Sequence, residues 1–320
     1  MQIKFWGTRG SLPTSQDSPQ LQKKLHAALK AANEQTFKDD DSIWEFINNK
    51  LPFPVSHTWG GNTSCVQIID EERSDYLICD VGSGARELAG DIMQTHAKGE
   101  KMICHILLSH LHWDHIMGFP FFTPAYIPGS EIHLYACHEE LESTFRAQNR
   151  GPNFPVPFDF LGADIYFHQL TPGEATVIAD KTVTSVRQHH GDDSYGYRIE
   201  KNGKTVVYST DSEHKHDDPE SLQPVIKLFH KADLVIFDAM YSLADAITCK
   251  QDWGHSSNIM GVDLCHLAEA KLLCLFHHEP VNSDETNYRI YKETIRYEEL
   301  SRQNHQLNIV SAYDGLKISL

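Results

Sequence analysis

Polar and apolar positions alternate over residues 2–6, Gln-Ile-Lys-Phe-Trp, as in a half-buried strand that ends at Gly7-Thr8-Arg9-Gly10. The alternation stops over residues 12–56. Two helix-spaced stretches, 19–33 and 41–49, lead to a proline-rich exit at Pro52 and Pro54, so this segment reads as a helical insertion, either a lid or a surface hairpin with no role. Strand signals return after Trp59-Gly60-Gly61-Asn62. Residues 63–69 and 76–80 read as paired strands joined by a charged turn, 83–96 as a helix, and 101–109 as a buried strand rich in Ile and Leu. A strand at 131–137, a polar helix at 138–149 and an aromatic, proline-rich loop at 151–162 follow. Strands are predicted at 182–188, 195–201 and 204–210, the last two joined by an Asn202-Gly203 hairpin. Next come a helix at 219–230, a short buried strand at 234–238, and helices at 256–270 and 282–303 on either side of a strand at 271–276. Strands at 307–312 and 316–320 close the chain. No repeat or low-complexity tract interrupts this order. A β-then-α succession occurs twice, which an α/β fold of two face-to-face sheets with helices outside, an αββα four-layer sandwich, would satisfy.

Composition adds bounds. The 320 residues are 40% hydrophobic and 22% charged, an ordinary globular balance. That length fits one large domain or two smaller ones; one domain over 1–320 is expected, because candidate ligands run from residue 110 to about 278. The net charge of −16 repels a phosphate backbone and argues against a long nucleic-acid substrate. It leaves room for a small phosphate ester, since bound dications invert the local potential. None of the 7 cysteines forms a C-x-x-C pair, so reduced, mostly buried thiols in a cytoplasmic protein are expected. No window approaches a membrane span, and no signal-like apolar stretch follows Met1.

The 20 histidines are the anomaly, and several are clustered. Ser109-His110-Leu111-His112-Trp113-Asp114-His115 contains H-x-H-x-D-H. At a strand end, His110 and His112 would share a face, and the following turn would bring Asp114 and His115 round beside them. Three imidazoles and a carboxylate in six residues suit borderline-soft dications. At these frequencies, chance matches number on the order of 0.005.

Together with Phe5-Trp6-Gly7-Thr8-Arg9-Gly10-Ser11, Gly60-Gly61-Asn62-Thr63-Ser64 and Asp80-Val81-Gly82-Ser83-Gly84, this motif resembles the metallo-β-lactamase superfamily. The likeness is to its phosphodiesterase branch, which includes ribonuclease Z and the phosphoribosyl cyclic phosphodiesterase of phosphonate metabolism, and it covers nearly the whole chain outside 12–56. The resemblance implies two divalent ions, Zn or Mn. His110, His112 and His190 would hold one, and Asp114, His115 and His277 the other, with Asp211 bridging. His190 is preferred over His189 because it lies six residues before Gly196 in a Tyr-Gly-Tyr strand. His277 is preferred over His278 because it directly ends an apolar strand. Asp80 would orient the histidine loop. His255, in Trp253-Gly254-His255-Ser256-Ser257, would meet the substrate phosphate, with Asp238 supporting it and Asp114 counted with them as catalytic. Otherwise His255 sits idle near a helix start and Asp238 caps a strand. His214 and His216 read as an exposed loop. The function implied is cleavage of a small cyclic nucleotide or cyclic phosphate ester. The alternatives are a carbonyl-directed thioesterase or lactamase-like hydrolase and a ribonuclease Z-like RNA-processing nuclease. The basic, Gly- and Pro-rich arm of ribonuclease Z has no counterpart here. A homodimer fits the resemblance. Phe154, Phe158 and Phe160 are either base-stacking residues or small local cores.

Overall fold

The structure, a computed structural model, describes residues 1–320 except 71–72, 97–99, 216–217, 243–252 and 303–304. Strand β1 (Gln2–Gly7) pairs antiparallel with β2 (Cys65–Ile69), which turns back into β3 (Tyr76–Cys79). Strands β4 (Ile103–Leu107), β5 (Glu131–Ala136) and β6 (Asp164–Gln169) then continue the sheet in parallel. The second sheet begins with an antiparallel meander of β7 (Ala175–Ile178), β8 (Lys181–Gln188), β9 (Ser194–Lys201) and β10 (Lys204–Ser209). It is completed in parallel by β11 (Leu234–Asp238), β12 (Leu272–Phe276) and β13 (Asn308–Ser311). Strand β14 (Lys317–Ser319) returns to the first sheet beside β1. The two seven-stranded orders are β14-β1-β2-β3-β4-β5-β6 and β13-β12-β11-β10-β9-β8-β7.

Side-chain alternation along the strands separates the cores. Val206 and Tyr208 point between the sheets, where they meet Phe5, Leu107, Tyr197 and Phe276, while Val207 points outward. On the outer face of the first sheet, Ala85, Leu88, Ala89 and Ile92 of helix α4 (Ala85–Thr95) join Cys104 and Ile106 in a second core. Helices α7 (Pro219–Phe229) and α8 (Asn258–Leu267) cover the second sheet in a third. The layers are helix, sheet, sheet, helix.

Helices α1 (Ser18–Ala32) and α2 (Asp40–Asn49) occupy the segment expected to be helical, each opened by a capping box, Asp17 with Gln20 and Asp39 with Ser42. Neither helix buries a residue. The proline-rich exit holds a short helix, α3 (Phe53–Ser56), against which α1 packs. A short α5 (Trp113–Ile116) and α6 (Leu141–Gln148) precede the second sheet. Lys24 of α1 contacts Asp284 at the start of α9 (Asp284–Ser301) and donates to the carbonyl of His57 at 2.6 Å.

Three expectations need correction. Strand β4 stops at Leu107, so His110 and His112 lie in the loop beyond it rather than on the strand. Strands β6 and β7 were not expected at all. Phe158 is buried against Phe119 and Phe167, which rules out a base-stacking role for it, whereas Phe154 rests edge-on against Phe121 and Phe160 is exposed. All six described cysteines are free, five of them buried and Cys137 half-buried; Cys249 lies outside the described residues. Among the described residues, no helix is long and apolar enough to cross a membrane.

Candidate metal centre

The ends of β3, β4, β8, β10, β11 and β12 converge at one rim of the sandwich, and the candidate residues follow them. Donor atoms of His110, His112 and His190 lie within 4.8 Å of one another, and so do those of Asp114, His115, Asp211 and His277. The imidazoles of His110 and His112 adjoin, with centroids 4.4 Å apart, and His112 Nδ1 lies 3.2 Å from His190 Nε2. His190 donates from Nδ1 to the carbonyl of Gly254 at 2.7 Å, which turns Nε2 to the cluster. His189 is exposed, and it is in none of the donor clusters found among the described residues.

Asp211 stands between the two groups. Its Oδ1 lies 3.1 Å from Nε2 of both His115 and His277. Its Oδ2 lies 3.7 Å from Nε2 of both His110 and His190. His277 Nε2 also lies 3.3 Å from Asp114 Oδ2, whereas His278 faces away and donates from Nε2 to the carbonyl of Ala312 at 2.8 Å.

Supporting groups fix these orientations. Asp80 accepts from His115 Nδ1 at 2.7 Å, from the Ser109 amide at 2.8 Å and hydroxyl at 2.7 Å, and from the Tyr208 hydroxyl at 2.7 Å. Asp114 Oδ2 accepts from the Ser11 amide at 2.8 Å. A Cβ at Gly10 would fall 2.6 Å from His277 Cε1, so only glycine leaves room for that imidazole. Asp80, Asp211 and His277 hold φ of 56°, 36° and 58°, left-handed values for three non-glycine residues just past strand ends. Each such turn costs on the order of 1 kcal/mol or more, and the donor atoms it aims are those that converge.

The local electrostatics follow from burial and carboxylates. Burial disfavours a charged His115, but Asp211, Asp114 and Asp80 overcome it and hold its pKa well above the usual value. Burial, joined by neighbouring His115, holds His110 well below it. Burial works against ionised Asp211 and Asp114, yet the surrounding imidazoles keep both well below the ordinary carboxylate range. His255 Nδ1 donates to Asp238 Oδ2 at 2.9 Å. Burial opposes its charge, but Asp238 and then Asp211 raise it to about 9. Asp238 is fully buried and also accepts from the amides of Ser212 and Met240.

His214 departs from expectation. It is buried rather than exposed, its ring lies parallel to Phe237 at 6.0 Å, and burial lowers it to about 4. The loop after Asp211 folds inward because Ser256 accepts from the His214 amide and donates to the Ser212 carbonyl. His216 lies outside the described residues. Sequence reasoning missed Ser11, whose contribution is a backbone amide with no side-chain signal, and Tyr208, which reads as an ordinary strand residue. It also missed the Gly254 carbonyl, which only long-range packing brings to His190.

The residues present fit divalent ions. Nε2 of His110 and of His115 are buried without a hydrogen-bond partner, although carboxylate oxygens lie within 3.7 and 3.1 Å. Unmade hydrogen bonds on buried polar atoms are costly, and two such atoms aimed at shared carboxylates suit a cation.

An αββα sandwich with a histidine and aspartate cluster at one rim is the metallo-β-lactamase fold. The chain belongs to the beta-lactamase superfamily domain family, whose model matches residues 78–278. It is similar to a ribonuclease Z of Oceanobacillus iheyensis, 28% identical over 151 residues that make up 45% of each chain. The chain spans less than half the length of the first such curated relatives. Among solved structures it resembles the metallo-beta-lactamase fold protein YhfI of Bacillus subtilis, with TM-score 0.64, 16% identity and coverage of 99% and 98% of the two chains. It also resembles the short form of human tRNase Z, with TM-score 0.61, 18% identity and coverage of 100% and 99%. The family read from the motifs and the fold class are thus borne out.

Proposed function

We propose that the protein is a dinuclear metal-dependent hydrolase, and specifically a phosphodiesterase acting on a small cyclic nucleotide or cyclic phosphate ester. His110, His112 and His190 would hold one ion and Asp114, His115 and His277 the other, with Asp211 shared between them. Imidazole and carboxylate donors suit Zn²⁺ and tolerate Mn²⁺. Bound ions would supply Lewis-acid polarisation of a phosphoryl oxygen and a nucleophile at neutral pH. The chain's own part is positional and protic. Asp80 and the Gly254 carbonyl hold His115 and His190 with Nε2 turned inward. Ser11 holds Asp114.

The observation that carries the reading is the His255–Asp238 pair, 2.9 Å long and beside Asp211. Asp238 keeps a proton on Nδ1, which leaves the other ring nitrogen to donate to substrate. A positively charged donor there complements an anionic diester, and it can protonate a departing oxygen. A neutral thioester or lactam has no such charge to meet. A ribonuclease Z-like activity on RNA is the second reading. The relatives' names favour it; the net charge of −16 disfavours it.

The test is turnover of bis-p-nitrophenyl phosphate and a panel of cyclic nucleotides by protein reloaded with Zn²⁺ or Mn²⁺. Wild type is expected to cleave diesters. Asp211→Ala is expected to lose activity and bound metal together, and His255→Ala to lose about 100-fold in rate with metal retained. Protein carrying two ions per chain that cleaves no diester would sink this reading, and thioesters and lactams would be assayed next. Cleavage of precursor tRNA in preference to every cyclic substrate would select the second reading.

A further inference from the structure

An imidazole can turn either nitrogen to a cation, and the choice is set by what the other nitrogen holds. At His190, just past the end of β8, three hydrogen bonds close a circuit that makes this choice. The Glu213 amide donates to the His189 carbonyl at 2.7 Å. The Gly254 amide donates to Glu213 Oε2 at 3.1 Å. The Gly254 carbonyl accepts from His190 Nδ1 at 2.7 Å. The circuit leaves the backbone beside His190, passes through Glu213 and Gly254, and returns to the His190 ring. The imidazole is thereby held relative to its own main chain by a buried carboxylate from beyond the end of β10. The other carboxylate oxygen, Oε1, faces Lys215 Nζ at 3.4 Å.

Gly254 makes the circuit sensitive. Its φ is 81°, and a Cβ there would fall 2.5 Å from His190 Nδ1. Glycine adopts many conformations, so the turn is pinned by engaging both its amide and its carbonyl. The spacing of the two loops is secured separately, since Ser256 accepts from the His214 amide at 3.2 Å and donates to the Ser212 carbonyl at 2.6 Å. The task left to Glu213 is to hold the Gly254 turn.

We propose that Glu213 is a positioning residue for the metal centre: its carboxylate holds the Gly254 turn, the Gly254 carbonyl keeps His190 Nε2 facing the cluster, and Glu213 thereby sets the affinity for the one ion that His110, His112 and His190 would hold. Glu213 is outside the donor clusters themselves. Its role depends on the accepting oxygen and not on the charge. This rests on the dinuclear reading of the site and is indifferent to which ester is cleaved.

The test reads ion binding rather than turnover. Full-length apoprotein is titrated with Zn²⁺ against a chromophoric chelator, which resolves two binding constants. His190→Ala marks which constant belongs to the position that His190 serves. Glu213→Asp keeps the charge and withdraws the oxygen by one methylene; it is expected to weaken that constant about ten-fold and to leave the other within about two-fold. Glu213→Gln discards the charge and keeps an accepting oxygen, and it is expected to bind both ions as wild type does. Wild-type binding by Glu213→Asp would overturn the proposal. So would a Glu213→Gln as weak as Glu213→Asp, which assigns the effect to charge, or equal loss of both constants with a lower Tm, which assigns it to general stability. A His190→Ala that changes neither constant overturns it as well. If wild type binds a single ion, the dinuclear reading fails, and Glu213 keeps its role only if that constant falls in His190→Ala and Glu213→Asp and is retained in Glu213→Gln. Absence of binding overturns both. The expected pattern in a protein that cleaves no diester leaves Glu213 its role and removes the phosphodiesterase reading.

Discussion

His115 is held between two demands. Its Nδ1 is committed to Asp80, and its Nε2 faces oxygens of Asp114 and Asp211 at 3.1 Å. Burial alone would keep it neutral, but the three carboxylates raise its pKa, so without an ion it carries a proton at neutral pH. An imidazole must give up that proton to ligate. Metal affinity is therefore expected to rise with pH through neutrality, with about one proton released per chain from this residue. Calorimetry in two buffers of different ionisation enthalpy measures the release, and heats that do not depend on the buffer would contradict it. At this scale the sequence is most informative where the candidate ligands are contiguous. His110, His112, Asp114 and His115 stand within six residues and need only one loop to meet. The choice between His189 and His190 turns on which of two successive positions past a strand faces inward, and that between His277 and His278 on a single backbone torsion. At His277 a φ of 58° sends one imidazole to the centre and the next to Ala312. No local pattern encodes that, so only the family resemblance favoured His190 and His277.

Among elements, the charged contacts of the helical segment at 12–56 with the body of the protein gather on one carboxylate, beside the packing of Phe53 on Trp59 and Tyr313. Asp284 accepts from the amide of Trp59 at 3.0 Å and contacts Lys24 and Arg9. Helices α1 and α2 bury no residue of their own, so they lack the apolar anchorage that usually holds a helix. Asp284→Ala is expected to cost about 3 kcal/mol, because buried Arg9 loses its ion-pair partner and keeps its carbonyl partners and the field of Asp314. It is also expected to speed limited proteolysis within 12–56 before the rest of the chain is cut. Unchanged cleavage there would show that the anchor lies elsewhere. These helices were legible from their spacing, as was the Asn202-Gly203 turn, where both residues hold positive φ. Strands β6 and β7 were not. Each is the edge of its sheet. β6 contains no buried residue, and β7 buries only Ile178. An edge strand that buries little carries little alternation for a sequence reading to detect.

For the whole molecule, buried and half-buried histidines away from the candidate ligands set a lower limit on pH. Burial lowers both His105 and His214 to about 4. In the unfolded chain each titrates near ~6.5. Between those values the unfolded state binds more protons, so stability rises with pH there and is lost as pH falls below about 6.5. His115 and His255 shift the other way, so their contribution is present at low pH and lost as pH rises through their folded values. The clean readout is therefore a difference between variants. His214→Gln is expected to flatten the fall of Tm between roughly pH 6.5 and 5 relative to wild type. An unchanged slope would mean that His214 is not kept neutral by the fold. The sandwich itself was readable from the doubled β-then-α order. The inward fold of the loop carrying His214 was not, since it depends on Ser256, 42 residues away.

Asp80 has two oxygens and accepts four hydrogen bonds: two from Ser109, one from His115 and one from Tyr208 in the opposite sheet. Three of the four fall on Oδ2 and one on Oδ1, so the crowded oxygen has no place for a further donor. In evolutionary terms this is a closed account among four positions. A change at any one leaves a buried acceptor or donor unmatched, and a neighbour can repair it only by changing as well. Substitutions at 80, 109, 115 and 208 should therefore travel together through descendants of this chain, while the core positions around them drift one at a time.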